Sequence, residues 1–163
     1  MFIVGSKVIH PIHGLGTVQG IEEQEIMGQK GVFACIYFAD AKLTVNVRAE
    51  GEGSMIRPLI SCGEMGKVLD YLKLKSENVP AKSSDRYNIN IKKLKSNDIY
   101  RLAEVVRDLT LLSLERKLSP KEQNMLKQTR KAMAIEFACL TDQPVEKFEA
   151  EIDEICRDSH QEE

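Results

Sequence analysis

The sequence runs to 163 residues, 42% hydrophobic and 29% charged, with a formal net charge of −2. A chain of this size holds one ordinary domain or two small ones, and neither of two halves would have much core to spare. No apolar run approaches the ~20 residues of a membrane span, and MFIVGSKVIHPIHG lacks both the charged start and the small-residue cleavage site of an export signal, so a cytoplasmic protein with no membrane partner is expected.

The first sixty residues have the two-residue period of strands. HPIHGLGTVQGI places His10 and His13 three apart and then Gly14, Gly16 and Gly20, glycines that give the positive φ or close backbone approach needed at the corners of a small barrel. A phosphate-binding loop would need a helix to open directly after the glycines, whereas Thr17, Val18 and Ile21 continue as strand. Zinc would need two ligands beyond the histidines, and only the distant Cys35 and Cys62 are on offer. GVFACIYF reads as a central strand, and KLTVNVRAE alternates, with Leu43, Val45 and Val47 on one face and Lys42, Thr44, Asn46 and Arg48 on the other. Candidate turns at Met27-Gly28-Gln29-Lys30 and Ala39-Asp40-Ala41-Lys42 complete four or five short antiparallel strands, the makings of an SH3-like or Tudor-like barrel over residues 1–60.

From Ser61 the period changes to 3.6, which predicts an all-α domain of about five helices over 61–163 and makes the whole an α+β protein of two domains. Stripes run through Met65, Val68, Leu69 and Leu72; then Ile99, Leu102, Val105, Val106, Leu109 and Leu112; then Leu126, Met133, Phe137 and Leu140; then Val145, Phe148, Ile152 and Ile155. A short basic helix is expected from about Ser84 to Lys95. Asn97 or Asp98 can cap the long helix that follows, and Ser119-Pro120-Lys121-Glu122 has the form of a capping box with proline at the first helical position. Pro144 is placed to start the last helix.

The charges are unevenly spread. Seven basic and two acidic residues lie between Lys73 and Lys95, six and two between Glu115 and Lys131, and two and ten from Glu136 to the end. A basic middle with an acidic tail suits contact with an anionic polymer on one face. Catalytic patterns are lacking: no G-x-S-x-G or Cys/His pairing has a supporting context, the carboxylates at 149 to 154 read as a solvated helix face, and Met125 and Met133 read as core rather than as a cofactor pocket. Four cysteines, Cys35, Cys62, Cys139 and Cys156, lie far apart, the pattern of reduced and mostly buried thiols. No enzyme, cofactor, metal or small-molecule substrate is expected.

The opening VGSKVIHPIHGLGTVQGIEE, followed by SSDRYNINIKKLKSNDIYRLAEVVRDL and LSPKEQNMLKQTRKAMAIEFA in that order, resembles the CarD/CdnL family of bacterial transcription regulators over nearly the whole chain. The first motif is also similar to the polymerase-binding domain of the transcription-repair coupling factor. The resemblance implies a Tudor-like domain that docks on the RNA polymerase β subunit through a strand edge. It also implies a helical domain that contacts promoter DNA at the upstream edge of the melted bubble and affects open-complex stability. Carried onto this chain, the docking positions are Gln24, Thr44, Val45, Asn46 and Val47, and the DNA positions are Lys82, Ser83, Arg86, Tyr87, Lys92, Lys93 and Arg130.

Several of those positions depart from the family pattern. Gln24 and Asn46 stand where many members have polymerase-contacting arginines. Ser83 stands where they have a tryptophan that wedges against a base step, and the chain has no tryptophan. Asp85 replaces an arginine and Asn88 a lysine. A serine cannot prop open stacked bases and a carboxylate repels phosphate, so the expected DNA contact is electrostatic.

Overall fold

The computed structural model describes residues 2–51 and 54–161, the side chain of 161 excepted. The chain divides into two compact units, Met1–Leu59 and Ile60–Glu163. The first is a five-stranded antiparallel sheet of Tudor-like type and the second is all-helical, which is the expected α+β architecture.

The strands are β1 (Lys7–His10), β2 (Gly14–Ile26), β3 (Gln29–Phe38), β4 (Leu43–Arg48) and β5 (Arg57–Pro58), in the spatial order β4-β3-β2-β1-β5. Consecutive strands from β1 to β4 pair as neighbours because their connections are too short to do anything else. At the β2–β3 turn Met27 (φ 53°) and Gly28 (φ 79°) both take positive φ, the two-residue arrangement whose twist matches the flanking strands, one step earlier than the sequence suggested. Val8, Val18, Ala34, Ile36, Phe38, Ala49 and Ile56 form the core.

The HPIHGLG stretch is a folded corner. The Nδ1 of His10 accepts from the backbone N–H of Ile12 (3.1 Å) and of His13 (3.3 Å), so the imidazole closes the turn. The two histidine rings stack at 4.7 Å and both pack on Phe38. Burial, with the neighbouring His13 adding to it, holds the His10 imidazole below its ordinary pKa. The three glycines do different work: Gly14 has φ +77°, Gly16 permits close approach, and Gly20 follows a bulge where the β2–β3 register slips by one at Gln19. A Cβ at Gly16 would sit 2.5 Å from Cγ2 of Ile36 and 2.7 Å from Cε1 of Phe38, both buried. Gly16→Ala is therefore expected to cost about 1–3 kcal/mol through overpacking. Urea denaturation should show it, whereas Gly20→Ala, whose nearest neighbour is 4.0 Å away, should lie close to wild type.

The helices are α1 (Cys62–Tyr71), α2 (Ser83–Lys95), α3 (Ile99–Glu115), α4 (Pro120–Thr141) and α5 (Val145–Gln161). Asp98 caps α3 through Tyr100 N (2.8 Å), and Ser119 with Glu122 forms a full capping box at α4. The α5 helix opens at Val145, one residue past the expected proline. The apolar stripes meet in one core around Leu72, Val105, Leu109, Met133, Phe137 and Ile152. The thiols differ from expectation: all four are free, but only Cys156 is buried, while Cys62 and Cys139 are exposed. No helix of the described residues is long and apolar enough to cross a membrane.

Candidate interaction surfaces

In the β unit, β4 ends the sheet and among the described residues pairs on one side only, with β3. Its other side presents backbone N–H and C=O groups to any incoming strand. The register decides which side chains accompany that edge. Asn46 pairs with Cys35, Arg48 with Phe33, and Gly31 with Gln24, and paired residues share a sheet face. Gln24, Thr44, Asn46 and Arg48 therefore stand on one face, with Glu22 beside them; the amide of Gln24 donates to Glu22 at 3.3 Å. Val45 and Val47 point the other way and pack against the core, so they can serve a partner only through their backbone. Arg48 was not among the expected docking residues, although its place on the polar face of KLTVNVRAE was legible. Its guanidinium carbon sits 5.7 Å from the Phe33 ring centroid, and the missing side chain of Gly31 leaves room beside it.

In the helical unit, α2 is amphipathic in an unusual way. Tyr87, Ile91 and Leu94 pack on the core, while Arg86, Asn90 and Lys93 follow one another along the adjoining flank at steps of four and three, facing α3 and α4. Arg86, expected at DNA, is buried at 4% exposure. Its Nε donates to Glu122 Oε1 at 2.5 Å and its Nη2 to Oε2 at 3.1 Å, while Nη1 donates to the carbonyls of Pro80 (2.9 Å) and Ala81 (3.2 Å). All its useful donors point inward, so Arg86 is removed from the DNA-facing set. The carboxylate that holds it is the capping-box Glu122. Burial would raise the pKa of Glu122, but the hydrogen bonds from Arg86 and Ser119 and the guanidinium charge outweigh it and hold it below the usual carboxylate range.

Three more expected DNA residues are engaged within the helical unit. Lys93 lies 3.0 Å from Glu104 and 4.0 Å from Asp108 on α3. Burial disfavours the charged form of Glu104, yet hydrogen bonds from Tyr71 and Lys93 lower its pKa. Tyr87 is half-buried against the core with the Lys121 ammonium 5.6 Å from its ring centroid, a packing role rather than an intercalating one. Arg130 donates to Asp153 at 3.1 Å. This contact, with that of Arg157 at 2.8 Å, also shows that Asp153, one of the carboxylates at 149 to 154, is paired rather than simply solvated. Of the expected set, Lys82, Ser83 and Lys92 are exposed, and neither lysine has a carboxylate partner among the described residues. Asp85 is exposed beside them on the outward face. Among the described residues no group of three or more His, Cys, Asp or Glu is placed to hold a metal ion.

A Tudor-like unit with a free strand edge, joined to a helical unit with a lysine-bearing outer helix, defines a protein built to engage other macromolecules through its surface. Residues 2–60 match the CarD-like/TRCF RID domain and residues 67–153 match the CarD C-terminal domain. A candidate transcription factor of Bacillus subtilis (strain 168), YdeB, is 30% identical over 127 residues, covering 77% of this chain and 83% of that protein. The chain belongs to the CarD family of transcription regulators.

Proposed function

We propose that this chain is a non-enzymatic, cytoplasmic regulator that binds the RNA polymerase β subunit through residues 1–60 and contacts promoter DNA through residues 61–163, near the upstream edge of the bubble, so as to modulate open-complex stability. The reading is carried by the one-sided pairing of β4, which leaves a strand edge flanked by Thr44, Asn46, Arg48 and Gln24 for addition of a partner strand, with Val45 and Val47 contributing backbone. DNA contact falls to Lys82 and Lys92, which neutralise phosphates; Ser83 supplies no wedge. Polymerase pull-down with the full chain tests the first half. For the second, titration of forked promoter DNA against salt is expected to give a log–log slope of about −2, since each neutralised phosphate contributes roughly −0.9. Lys82→Glu with Lys92→Glu should flatten that slope toward zero, and a wild-type slope already near zero would rule out phosphate contact.

A second reading is an adaptor that keeps the polymerase edge and has given up DNA. It is favoured by the inward capture of Arg86 by Glu122 and of Lys93 by Glu104, together with the exposed Asp85. Under this reading the double lysine reversal leaves regulation in cells unchanged; under the first, regulation is lost.

A further inference from the structure

The charge left over on the helical unit gathers at a place that the DNA reading does not use. Between the end of α3 and the first half of α4 lies a groove of about 280 Å³ lined by Arg116, Lys117, Lys127 and Arg130 over a floor of Leu118 and Leu126. No carboxylate is among its lining residues. Arg130 shares its charge with Asp153, but Arg116, Lys117 and Lys127 have no carboxylate partner among the described residues. From Arg116 to Ile135 the sequence has one acid, Glu122, and that one is buried against Arg86. The exposed charge of the segment is thus purely positive, and the concavity focuses it.

The groove is also set apart from the α2 lysines. Gln123, Lys127 and Arg130 follow one flank of α4, whereas Lys121, which covers Tyr87 of α2, stands roughly 160° around the helix from Gln123. Cations converging from two walls onto a small apolar floor suit a compact anion better than a polymer running along a strip. A lone monovalent anion would leave most of that charge uncompensated.

We propose that this groove binds a compact oligophosphate, two or more linked phosphates as in the chain of a nucleoside di- or triphosphate, held by Arg116, Lys117, Lys127 and Arg130. The test uses the full-length protein with inorganic tripolyphosphate, ATP and AMP, followed by calorimetry and phosphorus NMR. Tripolyphosphate is expected to bind, and AMP at least about tenfold more weakly. Lys117→Glu with Lys127→Glu should lower tripolyphosphate affinity by about a hundredfold, about tenfold for each charge-assisted hydrogen bond removed, while leaving forked-DNA binding as in wild type. Lys117→Gln with Lys127→Gln should show a smaller loss in the same direction should the reversals disturb folding. ATP binding more tightly than tripolyphosphate would assign the nucleoside to the apolar floor; equal binding would assign the phosphate chain alone, and either supports the site. The proposal is overturned if tripolyphosphate does not bind, if AMP binds equally well, if Lys82→Glu with Lys92→Glu abolishes the binding instead, or if the groove reversals weaken DNA binding as strongly as that pair does.

Discussion

Arg86→Met is expected to destabilise the helical unit by about 3–5 kcal/mol, because it leaves the Glu122 carboxylate charged, buried and short of its bidentate partner. The same change orphans the carbonyls of Pro80 and Ala81, which now accept from Nη1. For a unit of this size the loss corresponds to a fall in melting temperature of roughly 15–25 °C. Arg130→Met, which breaks the half-exposed pair with Asp153, should cost no more than about 1 kcal/mol and serves as the control. Arg86→Lys should fall between, since a lysine cannot make the two parallel bonds. The effect has a pH signature. Glu122 is held below its ordinary pKa in the folded state, so its stabilising contribution is full above the unfolded carboxylate value and is lost as pH falls through the folded one. Wild type should therefore lose stability on acidification through that window, and Arg86→Met should lose less there. An Arg86→Met protein with wild-type melting behaviour and impaired DNA binding would return this residue to the DNA surface.

The second large effect concerns the docking face. Introducing Gln24→Arg and Asn46→Arg should tighten polymerase binding by about tenfold or more for each charge-assisted hydrogen bond gained, the equivalent of about 1.5–3 kcal/mol apiece. Both positions stand on the same sheet face as Arg48, with Asn46 exposed and Gln24 partly exposed, and neither belongs to the core cluster, so neither change asks the core to move. Titration of the double variant against polymerase at two salt concentrations would check it, with the gain shrinking at higher salt. Unchanged or weaker binding would mean that the polymerase surface opposite these residues has no carboxylates to meet them.

Gln24 and Asn46 show how far the sequence could be read. Their membership of one surface followed only from the register, because the β2–β3 ladder resumes after the bulge at Gln19 and a slip of one residue would have put Gln24 on the core face. Arg48 was visible as a polar-face residue, but its position over Phe33 required the β3–β4 pairing. The α2 helix carries the sharper lesson. Its span and basic character were plain, but that Tyr87, Ile91 and Leu94 pack on the core and turn Arg86 inward emerged only from the packed helices. What the sequence lacks is the partner: Glu122 reads locally as a cap, and nothing local says that a cap can also hold an arginine from another helix.

By itself the sequence determined the strand-then-helix order, the change of period near Ser61, the capping box at Ser119 and the corner at His10 to Gly16, since each depends on residues a few positions apart whose conformational preferences act locally. Tertiary structure alone decided which cations remain free. Arg86 and Lys93 look like Lys82 and Lys92 in one dimension, and they differ because Glu122 and Glu104 reach them from other helices. Pairing acts over a few ångströms of space, so whether a charge is spent inside the fold or offered to a partner is settled by packing.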